Sequence, residues 1–452
     1  MTPTPSHISD TVTVIGGGLA GTEAALQLSS RGCQVRLFEM RPGTPSPAHH
    51  TDRLAELVCS NSLKSTDDST AAGQLKRELT ALGSRVLATA HETSVPAGGA
   101  LAVDRGEFSA RLTDMVESDP HIELRRREVT ELPEGPVIVA TGPLTSTGFE
   151  DVLSRLVGPA RLAFFDAAAP IVDAGSIDRT IAFPASRYGK GEGDDYLNCP
   201  MNRDEYERFV AALIDARRVH AKDFERRELF SACQPAEEIA RSGMDALRYG
   251  PLKPVGLIDP RTGERPWAVV QLRAENRANT AYNLVGFQTN LAFPEQDRVF
   301  RMIPGLETAE FLRYGVMHRN TFVDAPHLLD ATLAVRSCPR VRIAGQLAGT
   351  EGYLEAAASG LLAALGTLTD MRGLEPLMLP PTGAFGALIA YATDPATERY
   401  QPMHVNWGLV PPLEIRLRGK RERYAAYADR AQKDTLAALA NHPLTPGAGV
   451  RP

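Results

Sequence analysis

The sequence predicts an α/β protein whose nucleotide-binding domain is assembled from two separated parts of the chain. One glycine-rich turn, at Gly16, Gly18 and Gly21, lies between a short apolar run and a helical pattern. A second glycine-rich turn begins far away, at Gly345, and again lies between strand-like and helix-like stretches. The stretch between them alternates short strand-like segments with loops. These observations predict a discontinuous Rossmann-type domain with an inserted α+β domain.

The first turn follows the pattern G-x-G-x-x-G in a context that gives the motif its meaning. Val12 and Val14 predict a buried strand before the turn, and the apolar positions after it predict a helix. A second strand is expected from Gln34 to Phe38, and it ends at Glu39. A strand before, a helix after and an acidic residue at this distance favour a dinucleotide site over an ordinary glycine-rich turn.

Each part of this unit has a physical task. The first glycine permits the tight turn, the second lets the backbone approach a pyrophosphate, and the third lets helix and strand pack closely. The N-terminus of the helix attracts phosphate, and Glu39 can accept a hydrogen bond from a ribose hydroxyl. The predicted cofactor-binding residues here are Ile15, Gly16, Gly17, Gly18, Leu19, Ala20, Gly21 and Glu39.

Further elements follow in order. Helical periodicity runs from 72 to 87, and Asp104 is expected to start a helix that reaches about Glu117. The run from Pro136 to Gly142 predicts a buried strand, and a clear amphipathic helix covers 203–217. We expect three segments: residues 1–168 and 312–452 form the dinucleotide domain and the tail, and residues 169–311 form the insertion.

The second glycine-rich turn completes the predicted site. It follows a strand at 340–345 and precedes an alanine-rich helix at 354–365. Small residues there allow close approach to a flat cofactor, and the helix dipole can stabilise negative charge on a reduced flavin. Glu351 could cap this helix or contact the cofactor. The predicted cofactor-binding residues are Gly345, Gln346, Gly349 and Glu351.

Composition narrows the class of protein further. The net charge of −6 argues against indiscriminate nucleic-acid binding, although local basic clusters such as Arg125–Arg127 could steer a polyanion. No apolar run approaches the ~20 residues that span a bilayer, and the start lacks the pattern of a signal peptide. We therefore expect a cytoplasmic protein without a membrane partner. The cysteines are five in number and widely spaced, which indicates neither a disulfide framework nor a metal site.

Several segments closely resemble the folate- and FAD-dependent tRNA (uracil-5-)-methyltransferases, the TrmFO family. The most specific are the Cys-Ser-Asn run at 59–61 and Tyr-Leu-Asn-Cys-Pro-Met at 196–201. The resemblance covers nearly the whole chain. Its other segments are 14–25, 96–105, Cys233 with Pro235, 311–321, 344–353 and 401–409. The chain departs from the family pattern around Cys233, where Ser-Ala precedes and Gln follows the cysteine.

The resemblance implies methylation of uracil C5 in the T-loop of tRNA. It further implies methylenetetrahydrofolate as one-carbon donor, FAD as bound cofactor and NADH or NADPH as reductant, with no obligate protein partner. Three alternatives stay open. They are a wobble-uridine modification subunit of the MnmG (GidA) kind, an enzyme that acts on ribosomal RNA, and a plain FAD oxidoreductase or RNA-binding flavoprotein with structural cysteines.

The reaction that the resemblance implies gives two cysteines catalytic roles. A thiolate that adds at C6 of uracil makes C5 nucleophilic, and a base must later remove the C5 proton. We expect Cys233, next to Pro235 at a possible helix N-terminus, to be the nucleophile and Cys59 to be its partner near the flavin. The reverse assignment stays open.

The other cysteines and the histidines have simpler interpretations. Cys33 and Cys338 are expected to be small buried hydrophobic residues, and Cys199 could be either structural or functional. His49 and His50 are expected in a loop, while His318 could position folate or flavin or lie in the core.

Overall fold

The computed structural model describes most of the chain. It covers residues 11–46, 48–158, 161–189, 193–219, 234–275, 279–397, 400–415, 417, 419–440 and 442–445, with the side chains of 161–168 and 316–320 left aside. Cys233 lies outside the described residues.

The first part of the chain builds most of a parallel sheet and the helices that cover it. Its elements are β1 (Thr11–Ile15), α1 (Leu19–Ser29), β2 (Gln34–Glu39), β3 (Ser62–Ser65), α2 (Ala71–Leu82), α3 (Arg85–Glu92), β4 (Ser94–Val95), β5 (Ala100–Val103), α4 (Arg105–Glu117), β6 (Ile122–Arg126), β7 (Val137–Val139) and α5 (Thr147–Val157).

The middle part builds a separate antiparallel sheet. Its elements are β8 (Arg161–Ala168), β9 (Ile171–Asp173), β10 (Phe183–Pro184), β11 (Tyr196–Met201), α6 (Arg203–Asp215), α7 (Ala236–Arg241), α8 (Ala246–Tyr249), β12 (Ala268–Ala274), β13 (Ala281–Leu284), α9 (Phe293–Phe300), β14 (Phe311–Arg313) and β15 (Val316–Val323).

The last part returns to the first sheet. Its elements are α10 (Ala325–Leu328), β16 (Ala334–Val335), β17 (Cys338–Ile343), α11 (Tyr353–Arg372), α12 (Ala384–Thr393) and α13 (Lys420–Leu439).

The first sheet has the strand order β16-β17-β7-β1-β2-β6. Strands β17, β7, β1, β2 and β6 run parallel, and β16 pairs antiparallel at the edge. Strand β17 therefore pairs in parallel with β7 and extends a sheet that the first part of the chain begins, which confirms the discontinuous Rossmann-type fold. The central strands are largely buried: β7 is apolar throughout, and β1 buries Val12, Val14 and Ile15 together with Thr13.

The second sheet is antiparallel and has the strand order β10-β11-β12-β13-β9-β14. It carries its own apolar cluster, to which α6 contributes one face. The amphipathic pattern of that helix is confirmed, because Tyr206, Phe209, Val210 and Leu213 are all buried. Strands β8 and β15 pair with each other and form the double connection between the two sheets. The three-segment division stays a prediction.

Helical periodicity alone gave one wrong element. The expected helix at 72–87 is two helices, because Gly83 adopts φ +75° and ends α2. Ser84 then starts α3 by accepting a hydrogen bond from the backbone N–H of Leu87. The start of α4 is confirmed, since the Asp104 side chain accepts from the backbone N–H of Glu107.

The two halves of the nucleotide-binding domain meet at a contact between backbones. Helix α11 crosses α1 so closely that a Cβ added at Gly360 would lie 2.0 Å from the Ala20 carbonyl oxygen. Only a glycine permits this approach, and the approach brings the second glycine-rich turn beside the first.

We expect Gly360→Ala to lower the free energy of unfolding by about 1–3 kcal/mol, because the methyl group would force the two helices apart. The matched control is Gly106→Ala in α4, where the nearest atom to an added Cβ is 3.5 Å away. The control should be neutral or gain up to about 1 kcal/mol from helix propensity. Urea unfolding measures both, and equal stability of the two variants would contradict the close contact.

Candidate functional site

A cavity of about 290 Å³ opens at the carboxyl ends of the parallel strands. It is lined by residues that follow β1, β2, β7 and β17, by the loop that carries Cys59, and by the start of α11. Ligands of open α/β sheets bind at this edge. Of the predicted cofactor-binding residues, those in the lining are Ile15, Gly16, Gly17, Gly18, Leu19, Ala20, Glu39, Gly345, Gln346 and Glu351.

The first glycine-rich turn has the geometry that its motif requires. Gly16 adopts φ +104°, and a Cβ there would lie 2.3 Å from the Ala140 carbonyl oxygen. Gly18 precedes α1 without any side-chain cap, and no atom lies within 4 Å of a Cβ added to it. The backbone at Gly18 is therefore open to a pyrophosphate at the positive end of α1, so these residues fit a bound dinucleotide.

Two predicted residues support the site without lining the cavity. A Cβ at Gly21 would lie 1.8 Å from the Gly16 carbonyl oxygen, which matches the expected close packing of helix and strand. Gly349 adopts φ +78°, and a Cβ there would lie 1.8 Å from the Tyr400 hydroxyl. Both glycines allow the close packing around the two turns, and neighbouring residues of those turns line the cavity.

Glu39 lies at the cavity wall, and its carboxylate already has partners within the chain. It accepts hydrogen bonds from the backbone N–H of Gly17 at 3.0 Å and from the Arg41 side chain at 2.8 Å. Burial alone would raise the pKa of Glu39, but the hydrogen bond and charge of Arg41 outweigh it and hold the pKa below its ordinary value. A ribose would therefore meet an ionised carboxylate whose position is fixed by Gly17 and Arg41.

The second glycine-rich turn places three polar groups beside the first. Gly345 adopts φ +76°, and its N–H donates to the Ser359 hydroxyl at 2.7 Å. The Gln346 amide donates to the Glu351 carboxylate, and both side chains line the cavity. Glu351 therefore contacts the turn itself, and α11 begins after Gly352 without a side-chain cap.

Cys59 lies in the cavity lining, on a loop that is held from both sides. Its backbone N–H and that of Ser60 donate to the Tyr353 hydroxyl at 2.9 and 3.0 Å. Its carbonyl oxygen accepts from Arg105 at 3.1 Å and from Arg313 at 3.2 Å. These contacts fix where the thiol stands relative to the cavity, which supports the expected place of Cys59 near a bound cofactor.

Tyr353, Arg105 and Arg313 each lie in a segment that carries the family resemblance, at 344–353, 96–105 and 311–321. The sequence analysis assigned none of the three a role in the site. No local spacing could show that all three converge on one loop.

The remaining described cysteines differ from Cys59 in their surroundings. Cys199 is fully buried in the core of the second sheet, and burial raises the pKa of its thiol to about 12. Cys33 is also buried, and Cys338 is half-buried on β17. The buried setting of Cys199 favours its structural interpretation.

The described residues on either side of Cys233 both form backbone hydrogen bonds with the segment 288–290. The Val219 N–H donates to the Asn290 carbonyl oxygen at 2.9 Å, and the Ala236 N–H donates to the Gln288 carbonyl oxygen at 2.8 Å. The expected helix after Cys233 exists as α7, but Pro235 precedes it as the N-cap residue instead of occupying its first position. Because α7 has six residues, its N-terminus does not support the expectation that the helix activates the Cys233 thiol.

The predicted loop histidines differ in environment. His49 lines the cavity, with its Nδ1 2.8 Å from the Ser46 hydroxyl, while His50 is exposed. The backbone of His318 pairs with Asp166 in the β8–β15 connection.

Within the described part of the chain, no group of three or more metal-ligating side chains converges. The helices described there include none that is long and apolar enough to cross a membrane.

These features define a dinucleotide-binding protein with a discontinuous Rossmann-type domain and a cysteine at the cofactor cavity. Residues 11–375 match the family model described as glucose inhibited division protein A, and the chain belongs to this family.

Two curated relatives are named methylenetetrahydrofolate–tRNA-(uracil-5-)-methyltransferase TrmFO. The protein from Geobacter sulfurreducens is 56% identical over 421 residues, which cover 93% of this chain and 96% of the relative. The protein from Thermosynechococcus vestitus is 56% identical over 440 residues, which cover 96% of each chain. Similarity at this level along nearly the full length places the chain in the TrmFO branch of the family.

A solved structure of Aquifex aeolicus GidA shares the fold. It superposes with a TM-score of 0.67 at 18% identity, and the match covers 95% of this chain and 73% of GidA. This similarity confirms the predicted architecture.

We expect Gly18→Val to prevent dinucleotide binding and to leave the fold intact. The valine side chain meets no protein atom but occupies the place where the backbone must approach the pyrophosphate. Absorbance of the purified protein would report flavin content, and thermal melting would report folding. The control is Gly43→Val, at an exposed glycine outside the cavity lining. A folded Gly18→Val variant that retains a full complement of flavin would contradict the assignment.

We expect His49 to make stability of the protein without cofactor fall on acidification. Burial, followed by the charge of Arg41, lowers the pKa of His49 to about 4. The native state therefore binds the proton less readily than the unfolded state, whose histidine pKa is about 6.5. The contribution is present above pH ~6.5 and is lost as pH falls toward 4, by at most about 1.4 kcal/mol per pH unit. Urea unfolding of His49→Gln should show a shallower decline, and parallel pH curves for the two proteins would contradict the prediction.

Proposed function

We propose that this protein methylates C5 of a uridine in the T-loop of tRNA, with methylenetetrahydrofolate as one-carbon donor. Bound FAD, reduced by NADH or NADPH, would supply the electrons that convert the transferred one-carbon unit into a methyl group. The observation that carries the proposal is the half-buried Cys59, which lines a dinucleotide cavity of the fitting geometry. The printed names of the relatives point to the same substrate class.

The chain's own residues divide the task. The open backbone at Gly18 would hold the pyrophosphate, and Gln346 and Glu351, which line the same cavity, would contact the cofactor. The loop of Cys59, clamped by Tyr353 and two arginines, would present a thiol beside the reacting atoms.

The thiol chemistry requires a thiolate that adds to C6 of uracil, so that C5 becomes a nucleophile. After C5 has taken up the one-carbon unit, a base would remove the C5 proton as the bond from that carbon to tetrahydrofolate breaks. A hydride equivalent from the reductant would then complete the methyl group as the bond between sulfur and C6 breaks and the thiolate leaves. We propose Cys233 as the nucleophile and Cys59 as its partner. Cys59 lines the cavity on a loop that Arg313 contacts, and both described flanks of the Cys233 segment attach to residues 288–290. The reverse assignment uses the same two thiols.

The decisive experiment incubates the purified holoenzyme with unmodified tRNA transcript, methylenetetrahydrofolate and NADPH. Nucleoside analysis then measures 5-methyluridine, with a parallel reaction that lacks folate. Folate-dependent product in tRNA confirms the proposal. An FAD-loaded protein that oxidises NADPH and forms no product would contradict it and favour a partner-dependent wobble modification or a ribosomal RNA target.

We expect Cys59→Ala and Cys233→Ala to keep FAD and to lose methyl transfer by at least about 10³-fold, because the proposed reaction needs one thiol as nucleophile and the other as its partner. Cys199→Ala is the matched control, since its thiol is buried away from the cavity. Trapping with 5-fluorouracil-containing tRNA distinguishes the roles, because only a variant that keeps the nucleophile forms the covalent complex. Full activity of both cysteine variants would show that the cysteines are structural.

A further inference from the structure

The Cys59 loop is fixed by a residue from the other sheet. Arg313, on β14, donates from Nη1 to the Val58 carbonyl oxygen at 3.3 Å and from Nη2 to the Cys59 carbonyl oxygen at 3.2 Å. The same Nη2 also donates to the Ala169 carbonyl oxygen at 3.3 Å, where the chain enters the second sheet. One guanidinium therefore ties the cysteine loop to the antiparallel sheet.

This guanidinium forms no direct ion pair with a described carboxylate, although Glu275 acts on it electrostatically. Every hydrogen bond that Arg313 makes among the described residues goes to a neutral carbonyl oxygen, and no described carboxylate lies within ion-pair distance of it. Its Nε is shielded from solvent and has no hydrogen-bond partner there. A partly buried cation of this kind is stabilised by an anion nearby, and its field favours the charged form of an acidic neighbour.

The groups around the loop leave an excess of positive charge. Arg105 forms an ion pair with Glu275, and Glu275 also accepts from Asn283. Among the described residues, Arg273 on β12, Arg313 on β14 and Tyr353 on α11 interact electrostatically with Cys59. Arg105 on α4 donates to its carbonyl oxygen, and Glu275, just after β12, pairs with Arg105. Guanidiniums outnumber carboxylates in this set, and Tyr353 stays a neutral phenol because burial raises its pKa.

We propose that Arg313 is a positioning residue for Cys59, which fixes the loop at the cavity and favours the anionic form of its thiol. The effect is transmitted between the sheets, because the residue that tunes the cysteine belongs to the antiparallel sheet. The inference rests on the proposed function only for the identity of the substrate that Cys59 would meet. The reactivity of the thiol can be measured without folate or RNA.

The test measures the rate at which iodoacetamide alkylates Cys59, by peptide mass spectrometry, from about pH 6 to 10. Arg313→Gln should move the half-maximal rate to higher pH and slow alkylation below it by about tenfold, which corresponds to about one pKa unit. Arg313→Lys keeps the charge and should restore much of the rate. The matched control is Arg298→Gln on α9, whose exposed side chain pairs with Glu295.

Glu275→Gln provides a test of opposite sign. It removes the carboxylate that pairs with Arg105, so the half-maximal rate of alkylation should move to lower pH. If Arg313→Gln fails to fold, Glu275→Gln still tests the proposal. A shift of its half-maximal alkylation rate to higher pH, or no shift, would overturn the proposal. A folded Arg313→Gln protein whose alkylation profile matches the wild type would overturn it as well.

Turnover separates this inference from the proposed function. In the methylation assay, Arg313→Gln should lower kcat and leave the KM for tRNA within about twofold, because the residue acts through Cys59 and not through the substrate. Wild-type methylation with an unchanged Arg313→Gln variant would defeat the inference alone. A shifted alkylation profile in a protein that never methylates tRNA would defeat the proposed function alone.

Discussion

The nucleotide-binding domain depends on the contact between α1 and α11, where backbone meets backbone. At Gly360 there is no room for even one methyl group against the Ala20 carbonyl oxygen. This approach joins the first part of the chain to the last and sets the two glycine-rich turns beside each other at one cavity. A wider helix spacing would separate Gly18 from Gly345, and the cavity would lose one of its walls.

Buried carboxylates complete the frame around this contact. Glu23 on α1 accepts hydrogen bonds from the Ser84 hydroxyl and from the backbone N–H groups of Arg85 and Val86, at the start of α3. Glu78 on α2 serves the start of α12 in the same way, by accepting from the N–H groups of Ala384 and Phe385. Burial raises the pKa of both carboxyls. Each carboxylate accepts hydrogen bonds from the free N–H groups at the N-terminus of another helix. These bonds therefore fix the position of that helix relative to the helix that carries the carboxylate.

Polar side chains connect the Cys59 loop to the antiparallel sheet, and these contacts surround the candidate catalytic cysteine. Asn61 donates to the Ala274 carbonyl oxygen and accepts from Arg273, so the residue two positions after Cys59 is bound to β12. Through Arg105 and Arg313, the loop is also attached to α4 and to the antiparallel sheet.

The sequence by itself determined the local units of this protein. The motif at Gly16, Gly18 and Gly21, with Glu39 at the end of β2, specified a strand, a turn and a helix because short-range sterics and hydrogen bonding act on neighbours in the chain. The Asp104 cap and the apolar face of α6 were equally local. Only the tertiary structure decided that Glu39 is held by Gly17 and Arg41 and that Gly349 serves packing against Tyr400. It also decided that Tyr353, Arg105 and Arg313 converge on Cys59, since contacts between residues so far apart in sequence depend on how whole elements pack and leave no periodic trace.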